Sequence, residues 1–436
     1  MTDATVSETA GRTETAPPAT CQSAQEIISL RRSIHRHPEP AFVEIRTAAL
    51  ILGYLERLPC RISMGERVLS ATSVPDYPSK GQLDAAVDAA VAAGIDPGEA
   101  ARIAEAGTAL VAEIDGNRPG PAWAFRFDMD ALPIRESQDP GHRPFEQGFA
   151  SVNGNMHACA HDGHVAVGVA LATRLSDGNF AGSVKIVFQP AEEGCRGAAG
   201  MIAAGVGLGI DRFVGLHLGN SMPAGSVAGS AYGLLATTKL RIRFEGLSAH
   251  AGSAPSHGRN ALLAAATATL NLHAISRFAG HETRINVGRL TAGDAANVIA
   301  GSAEMSMEVR ADDGDVNDEL VRRTRRIVES AAEMHEVSAT VFVVGSATSF
   351  CPDDEIVDEV VAAAQALGVQ DRRSRHLLTS SDDFSLWGQK VQQNGGRAAF
   401  VLVGGGNTLP HHHPEFDIDE SCLPIAADVL ERLVRR

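Results

Sequence analysis

His157-Ala158-Cys159-Ala160-His161-Asp162-Gly163-His164 runs without a break into the apolar stretch Val165 to Leu175. This junction decides the fold, because it sets a crowded polar loop at the N-terminus of a helix. Further on, Val184-Lys185-Ile186-Val187-Phe188 reads as a strand and ends on Gln189-Pro190-Ala191-Glu192-Glu193-Gly194. Helix 196–205 and strand Phe213 to Leu216 continue the alternation, with His217 directly after the strand. Strand and helix alternating on this scale predict an α/β sheet whose ligands occupy the carboxyl ends of the strands. The Cys/His run, the two glutamates and His217 would then share one rim.

Towards the N-terminus, Ala24 to Leu58 carries the spacing of two helices split by His37-Pro38-Glu39-Pro40. The alanine-rich segment 81–106 reads as a helical hairpin and an insertion, followed by strands Ala109 to Ile114 and Ala122 to Phe127 and the polar turn Asp128-Met129-Asp130. Near residue 230 the texture changes. Strands Thr237 to Phe244, Ile285 to Leu290, Ala303 to Val309 and Ala339 to Val344 surround helices Arg259 to Ile275 and 316–334. That α+β block of roughly 115 residues is large enough for its own core. Helix 354–367, strand Ala398 to Val403 and helix Ser421 to Val434 return to the first texture. The expected organisation is a tail over 1–22, a discontinuous catalytic domain over 23–229 plus 346–436, and an inserted domain over 230–345.

The 436 residues exceed one ordinary hydrophobic core, in keeping with two domains. An excess of 53 acidic over 38 basic residues, net −15, argues against a nucleic-acid partner and an anionic membrane surface. Substrate charge has to be read from individual residues instead. Six scattered cysteines lack the density of a secreted disulfide scaffold and point to a reducing cytoplasm. No apolar run approaches the length of about 20 residues that spans a bilayer, and no signal-peptide pattern opens the chain.

Thiol, imidazole and carboxylate crowded together suit zinc, manganese or cobalt better than magnesium or calcium. Cys159 alone is as readily a buried, inert thiol; flanked by His157 and His161 and followed by Asp162, it reads as a ligand. Paired glutamates usually mark a solvated helix face. At a strand end, between Gln189-Pro190 and Gly194, they read as a functional turn, one binding metal while its neighbour works as a base. A lone histidine such as His217 is more often a satisfied core residue, and a triple such as His411-His412-His413 is not diagnostic.

In order along the chain, Arg31-Arg32-Ser33-Ile34-His35-Arg36-His37-Pro38-Glu39-Pro40, Arg126-Phe127-Asp128-Met129-Asp130-Ala131-Leu132-Pro133, the Cys/His run, Gln189 to Gly194, Gly246-Leu247-Ser248-Ala249-His250-Ala251 and His411-His412-His413-Pro414-Glu415 resemble the metal-dependent amidohydrolases of the aminoacylase and hippurate hydrolase type, a metallopeptidase-like family. Within it, the insertion at 81–106, Asn117 to Pro121 and Ala236-Thr237-Thr238-Lys239 resemble the aminobenzoyl-glutamate hydrolase branch. The resemblance implies a metallopeptidase-like α/β catalytic domain with an inserted α+β lid and dimerisation domain. It implies one or two divalent transition metals (Mn, Zn or Co) per subunit, with Cys159 bridging or approaching two metal positions and His161, Glu193, His217 and His412 as the other ligands.

The same resemblance makes Glu192 the general base and acid and gives His250 a part in stabilising the transition state, often across a dimer interface. Asn297 and Arg310 would anchor substrate, Arg310 by gripping a carboxylate. Asp130 and Asp162 are expected to orient imidazoles without binding metal. Relatives usually have glycine at Ala160 and proline at Ala300, which leaves the ligands intact and cautions against copying their specificity.

The implied reaction is hydrolysis of a C–N bond, in a homo-oligomer that is at least a dimer. The preferred reading, drawn from resemblance to aromatic-deaminating relatives, is deamination of the small aromatic 5-nitroanthranilate to 5-nitrosalicylate and ammonia. The alternative is cleavage of p-aminobenzoyl-glutamate or another N-acyl amino acid; a remote third is a non-catalytic binding subunit. No spacing distinguishes attack on the ring from attack on a carbonyl.

Overall fold

The structure, a computed structural model, describes residues 21–436. Its strands are β1 (Arg61–Ser63), β2 (Leu110–Asp115), β3 (Arg118–Asp128), β4 (Ala181–Gln189), β5 (Arg212–Gly219), β6 (Val227–Tyr232), β7 (Ala236–Glu245), β8 (Thr283–Ala292), β9 (Ser302–Ala311), β10 (Ser338–Ala347), β11 (Arg372–Leu377) and β12 (Arg397–Gly404). Eight form one sheet in the order β1-β2-β4-β3-β5-β12-β6-β11, and four a second in the order β10-β7-β9-β8. Of the expected tail, residues 1–20 lie outside the described residues, whereas Cys21 is fully buried.

At the centre of the large sheet β4, β3, β5 and β12 run parallel, so that Asp128, Gln189, Gly219 and Gly404 end on one rim. These strands are almost continuously apolar because both faces are covered. Helices Ala24–Arg36, His161–Leu175 and Cys422–Val434 pack together on one side, and Gly197–Ala203 and Phe384–Gln393 cover the other with Met201, Phe384 and Trp387. Helix His161–Leu175 is buried at all but one position. Gly168 permits its close approach to the sheet, since a Cβ there would lie 2.7 Å from the Phe127 ring.

The second sheet is antiparallel. Leu240, Ile242 and Phe244 of β7 and Met305, Met307 and Val309 of β9 pack under helices Ala261–His273 and Gly314–Met334. By strand alternation, Lys239, Glu308 and Arg310 face the other way. This sheet touches the main body where β10 meets the turn after β4: Ser346 donates its N–H to the Cys195 carbonyl at 2.9 Å. A Cβ on Gly345 would lie 2.0 Å from the Gly194 carbonyl, so only glycine fits there.

Three elements escape the apolar pattern. In β6 small residues are buried, and a Cβ at Gly229 would lie 2.8 Å from the Ser374 and Val357 carbonyls. Edge strand β11 pairs with β6 alone and carries Arg372, Arg373 and Arg375, so its backbone makes the strand while its side chains stay polar. Helix Phe384–Gln393 hides its apolar residues among polar ones. All six cysteines are unpaired. Among the described residues no helix is long and apolar enough to cross a membrane.

Beneath the Cys/His loop lies a buried charged network. Arg31 and His35, one turn apart on the first helix, both reach Asp162 at 2.7 Å, and Arg31 also holds Asp417 and Glu420. His35 Nε2 lies 2.9 Å from Glu136, so each ring nitrogen faces a carboxylate. Burial and Arg31 oppose protonation of His35, but Asp162 and Glu136 outweigh them and raise its pKa to about 9. That is above the ordinary value of about 6.5, so its stabilisation is complete below about pH 6.5 and is lost as pH rises through 9. The stability gap between wild type and His35→Gln, followed by urea unfolding, should therefore shrink by up to about 3 kcal/mol between about pH 6.5 and 9.5. Parallel pH profiles for the two proteins would place the dependence elsewhere.

Candidate metal centre

The site is assembled around the chain just beyond β3. The buried carboxylate of Asp130 accepts the backbone N–H groups of Glu192 (2.9 Å) and Glu193 (3.0 Å), and its carbonyl lies 2.8 Å from His161 Nδ1. Glu44 accepts the Ala191 N–H and Asp383 the Ala198 N–H, both at 3.0 Å. Three buried carboxylates thus hold the turn that follows β4. Asp130 holds the His161 imidazole with its carbonyl and the glutamate turn with its carboxylate, while Asp162 holds Arg31 and the His35 imidazole. The Asp130 carboxylate also lies 3.6 Å from His161 Nδ1.

His161 gives its Nδ1–H to the Asp130 carbonyl, and its Nε2 is buried without a hydrogen-bond partner. His217 likewise gives Nδ1 to the Leu218 carbonyl at 2.9 Å and turns Nε2 to within 3.6 Å of Cys159 Sγ. Burial, with His164 and His411 nearby, holds the His217 pKa well below the ordinary range, so its ring is neutral. Such tautomers, fixed by a carbonyl behind the ring, are those of metal-binding imidazoles. His164 is spent between Asp128 and the Leu218 N–H.

Donor atoms of Cys159, His161 and Glu193 lie within 4.8 Å of one another, as do those of Cys159, His217 and His411. Cys159 is common to both sets. Glu193 Oε1 is buried without a hydrogen bond, 3.3 Å from His412 Nε2. Buried lone pairs with no donor are costly unless a cation meets them. The thiol, imidazole and carboxylate set therefore fits zinc, manganese or cobalt. His412 is half-exposed and faces Glu193, whereas His411, which sequence reading left unassigned, joins Cys159 and His217.

Of these donors Cys159, Glu193, His217, His411 and His412 open on a cavity of about 270 Å³ lined also by Glu192, Asn220, Lys239, Arg310, Ser381 and Asp382. Glu192 is in its wall at 7 % exposure. Burial pushes its carboxyl well above the usual range, and Asp382, Glu193 and Asp383 add to the effect. Asp382 and Asp383 are anchored on the buried Arg126 at 3.1 and 2.7 Å. His250 and Asn297 are exposed and do not line this cavity. Arg310 does line it, but its guanidinium is bound at two points by Glu308, at 3.0 and 3.1 Å.

Among the described residues, six of the nine non-glycine residues with positive φ border the site: Ala160, Ala191, Cys195, Asn220, Ser221 and His412. Ala160, at φ 64°, occupies a left-handed position that glycine takes more easily. Sequence reading missed Glu44, Arg126, Lys239, Asp382 and Asp383. Among these, the strand alternation that faces Lys239 away from the helices was the one available signal.

A profile of peptidase family M20/M25/M40 matches residues 124–436. One subunit of the p-aminobenzoyl-glutamate hydrolase of Escherichia coli (strain K12) is 39 % identical over 94 % of this chain and 95 % of its own. Indole-3-acetyl-aspartic acid hydrolase of Enterobacter agglomerans is 38 % identical over the same shares. Among solved structures, the aminobenzoyl-glutamate utilization protein from Klebsiella pneumoniae matches with TM-score 0.81 and 33 % identity, covering 94 % of this chain and 95 % of that one. Bacillus subtilis YXEP protein, described as a dinuclear metal-binding peptidase from the M20 family, matches with TM-score 0.64 and 26 % identity, covering 94 % and 97 %.

Because Cys159 belongs to both donor sets, one substitution should weaken both. Metal-stripped protein titrated with zinc or manganese should gain about 2.7 kcal/mol of stability at a hundredfold excess over Kd. Cys159→Ala should lose most of that gain and bind at least about tenfold more weakly by calorimetry. No stabilisation by zinc, manganese or cobalt would remove the metal assignment.

Proposed function

The chain belongs to peptidase family M20/M25/M40, and from that membership we propose that it is an amidohydrolase that cleaves the amide between an aromatic acyl group and an acidic amino acid. The observation that carries this reading is the buried Glu192 in the same cavity wall as the donors of Cys159, Glu193 and His217. p-Aminobenzoyl-glutamate is the substrate of choice for a test, since both similar relatives take their names from hydrolysing an aromatic acyl conjugate of an acidic amino acid. Deamination of 5-nitroanthranilate, the reading preferred from sequence, gives way to this one, because relatives spanning 94 % of the chain bear the names of amide hydrolases.

Cys159, His161, Glu193 and His217, with His411 or His412, would hold the metal. A divalent transition metal there supplies acidified water and a polarised carbonyl. Glu192 takes the proton of the attacking water and passes it to the leaving nitrogen. Asp130 keeps Glu192 and Glu193 at their stations through their backbone N–H groups. We assign the four-stranded block from β7 to β10, Ala236 to Ala347, as a lid, and His250, outside its own cavity, to the site of a second copy in a homodimer. The unpaired cysteines suit a reducing cytoplasm.

Protein loaded with manganese or zinc should release p-aminobenzoate from p-aminobenzoyl-glutamate and no ammonia from 5-nitroanthranilate. Glu192→Gln should lower kcat by about 10²- to 10⁴-fold at unchanged metal content. Ammonia from 5-nitroanthranilate alone, or full activity in Glu192→Gln, would sink the proposal.

A further inference from the structure

The cavity is lined by three carboxylates, Glu192, Glu193 and Asp382, and by two cations, Lys239 and Arg310. Both cations come from the four-stranded sheet. In the β7–β9 ladder Lys239 is opposite Glu308 and Thr237 is opposite Arg310, so Lys239, Glu308 and Arg310 share the face turned away from the helices. Glu308 spends itself on Arg310 through two hydrogen bonds at 3.0 and 3.1 Å. Among the described residues the Lys239 side chain makes no hydrogen bond and no ion pair, although three carboxylates line the same cavity.

Lys239 is held beside the glutamate turn by its neighbour on the other side. Its partner in β10 is Gly345, whose backbone abuts the Gly194 carbonyl. In the same cavity Ser381 Oγ is buried without a partner. A half-buried ammonium with three unused donors and a nearby free hydroxyl suit an incoming anion.

We propose that Lys239 is the specificity residue of this cavity and binds a carboxylate of the amino-acid half of the substrate. This rests on the amide-hydrolase reading above. An acidic acyl-amino acid entering past Glu192, Glu193 and Asp382 meets repulsion, and Lys239 is the uncommitted cation that offsets it. Arg310, already neutralised by Glu308, frames the pocket.

The test compares p-aminobenzoyl-glutamate with its two monoamides, the side-chain amide and the α-amide, in wild type, Lys239→Met and Lys239→Arg, with melting curves confirming folded protein. Lys239→Gln replaces the Met variant if that one does not fold. Loss of one charged hydrogen bond should lower kcat/KM on the diacid by about 10- to 100-fold, through KM, with kcat held within about threefold. On the monoamide that lacks the carboxylate Lys239 binds, wild type and the Met variant should be equal, and Lys239→Arg should restore most of the discrimination. Equal losses on all three substrates, no loss, or a loss in kcat alone would overturn the assignment. Wild type that cleaves none of the three would instead overturn the amide reading, and Lys239 with it.

Discussion

The site depends on one buried carboxylate. Asp130 stands beyond the end of β3, where it accepts two consecutive N–H groups from the glutamate turn and offers its carbonyl to His161. Those contacts link three chain segments that are far apart in sequence: the end of β3, the turn after β4 and the N-terminus of helix His161–Leu175. The turn satisfies the N–H groups of Cys195, Arg196 and Gly197 with its own Glu192 and Ala191 carbonyls, but with Ala191 and Cys195 both at positive φ it leaves those of Ala191, Glu192, Glu193 and Ala198 to partners outside it. Buried N–H groups require partners. Asp130, Glu44 and Asp383 supply them, so the position of Glu192 is set by backbone hydrogen bonds and does not rest on its own side-chain contacts.

The same arrangement explains the strain. Left-handed backbone at non-glycine residues is unfavourable, and such conformations persist where the surroundings over-determine them. Ala160 is an instance: its carbonyl accepts the N–H groups of Gly163 and His164, which starts the helix and turns Cys159 and His161 towards the rim. The main body contributes thiol, imidazoles and carboxylates to that rim, with Arg126 buried behind them as the counter-charge for Asp128, Asp382 and Asp383. Arg126 is committed to those carboxylates and does not line the cavity.

Much of this was legible in the sequence. The alternation from Val165 to His217 predicted the parallel rim, and Cys159, His161, Glu192 and Glu193 announced themselves because rare, chemically reactive residue types fell close together, while His217 entered as a ligand only through the family resemblance. His412, chosen through the family resemblance, faces Glu193, whereas the place of His411 beside Cys159 and His217 left no mark in the sequence. Glu44, Asp382 and Asp383 left no mark either: their partners include backbone N–H groups, which every residue except proline carries, from segments up to 185 residues away. Strand β11 escaped for a related reason, as an edge strand is defined by backbone pairing and tolerates a row of arginines.

Lys239 falls between these cases. The alternation of β7 places it opposite Leu240, Ile242 and Phe244, which sequence alone could have shown; that this face meets the glutamate turn required the contact of Gly345 with Gly194. The division of charge between the two sheets then has a physical rationale. A cation fixed on the main rim would compete with bound metal for the carboxylates and imidazoles that hold it, whereas a cation carried by the second sheet can lie beyond that donor set. Separating the two charges in this way lets one end of a substrate meet an ammonium while its amide meets the metal donors and Glu192, which makes recognition of the amino-acid half depend on how the second sheet is seated against the turn.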